Sequence, residues 1–271
     1  MKLNDKVVVI TGASSGIGKS LAVEFAKHGA NLVLAARQYV VLCELTQTLA
    51  KEYGIKAIAV QCDVSVQDDC EHLIKQTIAT FGKINVLVNN AGISMRALFK
   101  DADIGVLKKV MDVNFWGTVY CTKYALPEIL KTKGCITGVS SIAGYKGLPG
   151  RTGYSASKFA MNGFLDALRV ENLKTGIHIL TACPGFTASN IRNTALNKNG
   201  VQQGESTMEE DIMMTADEVA RVIIKGIQDG ARTLIMTRQG KLTVLLSKFL
   251  PGLLDKLVYN IIAKEKHSLL K

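Results

Sequence analysis

The sequence predicts an open, doubly wound α/β sheet of about seven parallel strands in a single domain, followed by a helical C-terminal extension. Three observations predict it. Short runs rich in Val, Ile, Leu and Ala alternate with longer amphipathic segments through the first 238 residues. Those short runs are mostly continuous in hydropathy rather than alternating, as parallel strands covered on both faces require. The repeated strand–helix order is that of crossovers within one sheet. With 271 residues, 48% of them hydrophobic and only four prolines, the chain can bury one large core.

The strands are expected at Val7–Thr11, Asn31–Ala35, Ala57–Gln61, Val86–Asn89, Cys135–Ser140, His178–Ala182 and Thr233–Met236. Helical spacing falls between them. Ile17, Leu21, Ala22, Phe25 and Ala26 share one helix face. Ser65 is expected to cap a helix carrying Cys70, Leu73, Ile74 and Ile78. Thr215 and Glu218 form a capping-box pattern ahead of Val219, Val222, Ile223 and Ile227. Asn190–Met214 is polar and rich in Gly, Asn and Gln, the composition of a lid or binding loop. The domain is read as residues 1–238, with the extension at 239–271.

The first strand–helix junction carries Gly12, Gly16 and Gly18. Glycines there permit a sharp turn, close approach of a pyrophosphate and tight helix packing. The following helix would direct its free N–H groups at the phosphates. An acidic residue ending the next strand would bind a ribose 2′-hydroxyl. Ala36 stands at that place and Arg37 follows, and a guanidinium suits a 2′-phosphate. The expectation is therefore NADP(H) rather than NAD(H).

Seven separated motifs follow one another: TGASSGIG (Thr11–Gly18), CDV (Cys62–Val64), NNAG (Asn89–Gly92), VN (Val113–Asn114), VSS (Val139–Ser141), YSASK (Tyr154–Lys158) and PG (Pro184–Gly185). Together they resemble the short-chain dehydrogenase/reductase family, with its Rossmann fold, over roughly Lys6–Met236. The resemblance implies that Gly12, Ser14, Ser15, Gly16, Ile17, Gly18 and Arg37 hold the dinucleotide. It implies that Asp63 and Val64 bind the adenine, and that Asn90, Ala91 and Gly92 line the groove. Pro184, Gly185, Thr187 and Ser189 would hold the carboxamide end. The family commonly has an aliphatic residue where Thr187 stands and a threonine where Ser189 stands.

Tyr154 and Lys158, four apart, share a helix face. A neighbouring ammonium, with an oxidised nicotinamide, is expected to lower the phenol pKa and make Tyr154 the general acid/base. Ser141, 13 residues earlier, can hydrogen-bond the same substrate oxygen. Lys158 would also bind the ribose. By the resemblance, Asn114 would hold a water that links Lys158 to solvent. Ser140 competes with Ser141, and Tyr145 with Tyr154. Tyr145 has Pro149 rather than lysine four residues on, and is read as lining a substrate pocket.

Other chemistries fit less well. The four histidines form no metal-spaced pair and no G-x-S-x-G elbow is present. The net charge of +10 is mostly scattered, with no basic run interleaved with aromatics, so nucleic acid is not the expected partner. No run reaches the about 18 apolar residues of a membrane span. Six cysteines without framework spacing point to reduced thiols and a cytoplasmic setting. Between Arg238 and Lys271, seven basic residues stand against two acidic ones. Leu242, Leu245, Leu246, Phe249 and Leu250, then Leu253, Leu254, Leu257, Val258, Ile261 and Ile262, repeat at helical spacing around Pro251–Gly252. These two basic amphipathic helices would cover the substrate cleft, join subunits or lie on an anionic membrane surface. By the resemblance, the helices around Asn114–Lys131 and Tyr154–Lys174 pair copies into dimers or tetramers. The expected activity is NADP(H)-dependent interconversion of a ketone or aldehyde and an alcohol on an apolar substrate. The alternative is an NADP(H)-binding regulatory or scaffold protein without turnover.

Overall fold

Five consecutive buried residues place β1 (Val7–Thr11) at the centre of the sheet. The computed structural model describes residues 1–188, 191–204, 213–264 and 268–270. Its main sheet is parallel throughout. The order is β3 (Ala57–Gln61), β2 (Asn31–Ala36), β1, β4 (Val86–Asn89), β5 (Cys135–Val139), β6 (His178–Cys183) and β9 (Thr233–Ile235). Val9 pairs with Val33 on one side and Leu87 on the other. Strand order reverses between β1 and β4, so a crevice opens at their carboxyl ends.

The strict alternation of side chains along β1 divides the core in two. Val8 and Ile10 pack with Leu21 and Phe25 of α1 (Gly16–Lys27), Leu42 of α2 (Tyr39–Tyr53) and Ile223 of α7 (Ala216–Asp229). Val7 and Val9 pack on the other face. Their neighbours there are Leu73 of α3 (Gln67–Phe81), Ile129 of α5 (Gly117–Thr132) and Leu165 of α6 (Thr152–Glu171). Arg169 ties α6 to the sheet. Its Nε donates to Ile179 O at 3.1 Å and its guanidinium to Thr181 Oγ1 at 3.0 Å. Between β4 and α5, α4 (Ile104–Met111) runs through a π-helical turn, Asp112–Trp116.

The expected elements occur, with strand ends differing by one residue. The expected cap at Ser65 does not form. α3 begins at Gln67, and the Ser65 hydroxyl donates to Asp63 Oδ1 at 2.7 Å. Val66 takes the cap position, so Ser65 lies one residue outside the helix, where its N–H and hydroxyl both turn back to Asp63. Asp68 and Asp69 supply the negative charge that favours the α3 N-terminus. At α7 the capping box is present, with Thr215 and Glu218 each bonding the other's backbone.

The long polar loop is anchored at several points. β7 (Thr187–Ala188) and β8 (Met214–Thr215) pair in parallel and bring its two ends together. Leu196 exchanges backbone bonds with Ser94 and Arg96, at 2.9 and 2.8 Å, and Asp103 N donates to Lys198 O at 2.9 Å. Leu196, Met95, Val106 and Val110 form a third, smaller apolar cluster. The C-terminal extension holds α8 (Arg238–Phe249) and α9 (Pro251–Ala263). The break falls at Leu250, and Pro251 opens α9 rather than interrupting it, because a first-turn proline sacrifices no helix bond. Among the described residues, no helix is long and apolar enough to cross a membrane.

Leu21 is completely buried in the seam between α1 and α7, whereas Leu245 is 54% exposed on α8. Leu21→Ala is expected to cost about 2–5 kcal/mol in urea unfolding. Leu245→Ala is expected to change stability by less than about 0.5 kcal/mol.

Candidate active site

At the β1–β4 reversal, one hydroxyl joins two motifs far apart in sequence. Thr11 Oγ1 accepts from Asn90 N and Ala91 N, both at 3.0 Å, and donates to Val88 O at 3.4 Å. Asn90 Nδ2 donates to Thr11 O at 2.9 Å and Gly12 O at 3.2 Å. The glycines are required here. Gly12 has φ +65°, and a Cβ there would lie 2.8 Å from Ala91 Cα. A Cβ on Gly18 would lie 2.2 Å from Gly12 O. The contact leaves no room for even alanine.

The turn opens onto the N-terminus of α1. Ser15 is extended there, its side chain makes no capping bond, and the first turn holds no acidic residue. Such an end offers backbone donors and positive potential to an anion. Ala13 N donates to Ala35 O at 3.2 Å, which brings the turn against the end of β2. Arg37, exposed, stands two residues beyond that contact. Ser14 and Ile17 are half-buried in the same turn. Asp63 follows the end of β3, and its carboxylate accepts from Ser65 N and Oγ. The Val64 methyls lie where a side chain on Gly117 would sit, 2.7 Å away. These residues fit a dinucleotide: the Gly12–Gly18 turn and the α1 N-terminus would hold its phosphates.

Across the crevice, α6 presents Tyr154 and Lys158. Lys158 is buried and Nζ donates to Val139 O at 2.9 Å. The ammonium is 5.8 Å from the Tyr154 ring centroid. Burial lowers the Lys158 pKa to about 8. Tyr154 moves the other way. Burial raises its phenol above the ordinary value, outweighing the Ser141 hydroxyl bonded to it and the guanidinium charges of Arg151 and Arg192. Among the protein's own groups, desolvation exceeds the attraction of the nearby charges; the expected lowering includes the positive charge of an oxidised nicotinamide. Neither arginine carries a motif; Arg151 stands three residues before Tyr154 at the start of α6, whereas Arg192 reaches it only through the fold.

Ser140 and Ser141 now separate. Ser140 Oγ donates to Asn162 Oδ1 at 2.6 Å, and Asn162 Nδ2 donates to Gly144 O at 2.9 Å. That pairing holds Ser140 in the scaffold. Ser141 Oγ accepts from Ala143 N at 3.1 Å and reaches the Tyr154 phenol. Tyr145 is half-buried and bonds Cys183, and burial pushes its pKa up to about 12.

Asn114, at the centre of the π-helical turn, is fully buried. Its Nδ2 donates to Ile93 O at 3.0 Å and Ser157 Oγ at 2.9 Å, and its Oδ1 accepts from Ile93 N at 2.8 Å. Its side chain therefore holds together α6 and the segment that follows β4. A Cβ at Gly92 would sit 3.2 Å from Asn114 Oδ1 and 3.6 Å from Lys158 Nζ, so Gly92 keeps open the space between them. Pro184 and Gly185 follow β6, and Thr187 Oγ1 donates to Gly185 O at 3.2 Å. Ser189 lies outside the described residues.

The short chain dehydrogenase family model matches residues 6–200. The 11-beta-hydroxysteroid dehydrogenase A of Arachis hypogaea is 39% identical over 261 residues, covering 92% of this chain and 73% of its own. The 11-beta-hydroxysteroid dehydrogenase-like 4A of Arabidopsis thaliana is 37% identical over 254 residues, covering 93% and 83%. Among solved structures, an alcohol dehydrogenase from Thermococcus sibiricus complexed with 5-hydroxy-NADP aligns with a TM-score of 0.77 and 24% identity. That alignment covers 86% of this chain and 96% of the other. A short chain dehydrogenase/reductase from Burkholderia phymatum in complex with NAD gives a TM-score of 0.82 and 24% identity, covering 93% and 96%. These two show the likeness of fold.

Thr11→Val keeps the volume but leaves the Asn90 and Ala91 N–H groups without their acceptor. A loss of about 1–3 kcal/mol in urea unfolding is expected, well above that of an exposed Thr→Val change elsewhere.

Proposed function

The chain belongs to the short-chain dehydrogenase family, and from that premise we propose that it is an NADP(H)-dependent oxidoreductase acting on an apolar, steroid- or lipid-like ketone or aldehyde and the corresponding alcohol. The observation that carries the proposal is the meeting of Tyr154, Ser141 and Lys158 across the crevice from the Gly12–Gly18 turn. The names of the relatives from Arachis hypogaea and Arabidopsis thaliana favour a steroid-like substrate. Arg37, in place of an acidic residue, favours the 2′-phosphate.

A bound nicotinamide dinucleotide supplies the hydride. Ser141 Oγ orients the substrate oxygen toward the phenol, and Tyr154 transfers its proton to that oxygen. A phenol held above its ordinary pKa is protonated at neutral pH, which suits the direction of reduction. Lys158, anchored on Val139 O, carries its charge below about pH 8 and stabilises the phenolate left after proton transfer. Asn114 maintains the opening beside Lys158 by fixing Ile93 and Ser157. Exposed Trp116 before α5, and exposed Phe159 and Val170 on α6, support pairing with a second copy.

Tyr154→Phe is expected to lower carbonyl reduction by at least about 100-fold while NADPH binding, followed by fluorescence, persists. Full activity in this variant would overturn the acid/base assignment. Arg37→Asp is expected to reverse the preference between NADPH and NADH, measured as the ratio of kcat/KM values. An unchanged ratio would remove the argument for the 2′-phosphate.

A further inference from the structure

Among the described residues, nothing packs on the outward face of the C-terminal helices. Eight of the 19 large hydrophobic side chains exposed among the described residues lie between Leu242 and Ile261. Leu242, Leu245 and Phe249 share the outer face of α8, and Leu253, Leu257 and Ile261 repeat every fourth residue along α9. This face is separate from the packing face. Val244, Leu254 and Ile262 are buried, and a Cβ on Gly240 would meet Ile142 Cδ1 at 2.7 Å. The extension thus already fills its place on the domain with its inner side.

Charge identifies the occupant of the outer side. Lys241, Lys248, Lys256 and Lys264 are all exposed and interleave with the apolar residues. Among the described residues from Arg238 to Lys264, Asp255 is the only acid, and it pairs with Lys146. A second copy docked by the same face would set lysines against lysines. An anionic lipid surface accepts both components: acyl chains take the leucines and headgroups take the ammonium groups. We propose that this face lies on an anionic membrane surface, with α8 and α9 in the plane of the interface.

The position has a consequence for the candidate site. α8 rests on Ile142, next to Ser141, and Leu269 lies against Gly150. Ile262, Leu269 and Leu270 line a crevice with Arg96, Pro149 and Arg151. The lipid-facing element therefore adjoins the rim of the proposed cleft. Membrane binding itself does not depend on the redox reading, and a failure of either is seen separately.

The test is co-sedimentation of the full chain with vesicles of phosphatidylcholine alone or mixed with phosphatidylglycerol, alongside sedimentation velocity without lipid. Binding to the mixed vesicles, weakened by salt, is expected. Replacing Lys241, Lys248 and Lys256 together by Gln should reduce it by at least about tenfold. The triple change Leu245→Glu, Phe249→Glu and Leu257→Glu should abolish it, with the thermal unfolding curve and the mass in solution unchanged. No binding of the unaltered chain to either vesicle would overturn the proposal. So would a fall in mass for the Glu variant without lipid, which would assign the face to a second copy.

Discussion

The candidate site depends on how closely β1 and β4 approach at the point where strand order reverses. Thr11 Oγ1 holds the two N–H groups that start the NNAG bend, and Asn90 returns the contact to Thr11 O and Gly12 O. These bonds form only if nothing larger than hydrogen stands at Gly12 and Gly18. The glycines therefore do more than free the backbone for a phosphate. They allow the crevice wall to close on the turn, which sets where α1 begins and which way its free N–H groups point.

A second junction lies across the crevice and is made of buried polar groups. Asn114 binds both backbone groups of Ile93 and the Ser157 hydroxyl. Ser157 in turn donates to Tyr154 O at 2.7 Å, and Lys158 donates to Val139 O. The helix that carries Tyr154 is thus tied to β4 and β5 by side chains that need partners in a dry interior. Burial lowers the Lys158 pKa and pushes the Tyr154 phenol upward. One environment shifts both groups, in the directions that desolvation dictates for a cation and for a neutral acid.

The sheet was largely legible because its signals are local. Continuous apolar runs, helical spacing, the glycine turn and the capping box each need only a few adjacent residues. Departures occur where a side chain had two local options or a distant partner. Ser65 takes the Asp63 carboxylate over the helix end. Ser140 and Ser141 are adjacent and chemically alike, and only Asn162 across the packing distinguishes them. The motif order placed Tyr154 and Lys158 on one helix, but their pKa shifts depend on burial, which spacing does not record. Arg192 belongs to no pattern and comes to Tyr154 through the fold alone.

By itself the sequence determined the order and type of the elements, the glycines that the strand reversal demands and the residue types able to move a proton beside a dinucleotide. These follow from propensity, periodicity and spacing, which act within a few residues. Only the tertiary structure decided which serine faces Tyr154, that burial pushes its phenol upward, and that the extension turns its leucines and lysines outward. Those outcomes depend on which groups exclude water from which others, and that is settled only when segments distant in the chain pack together.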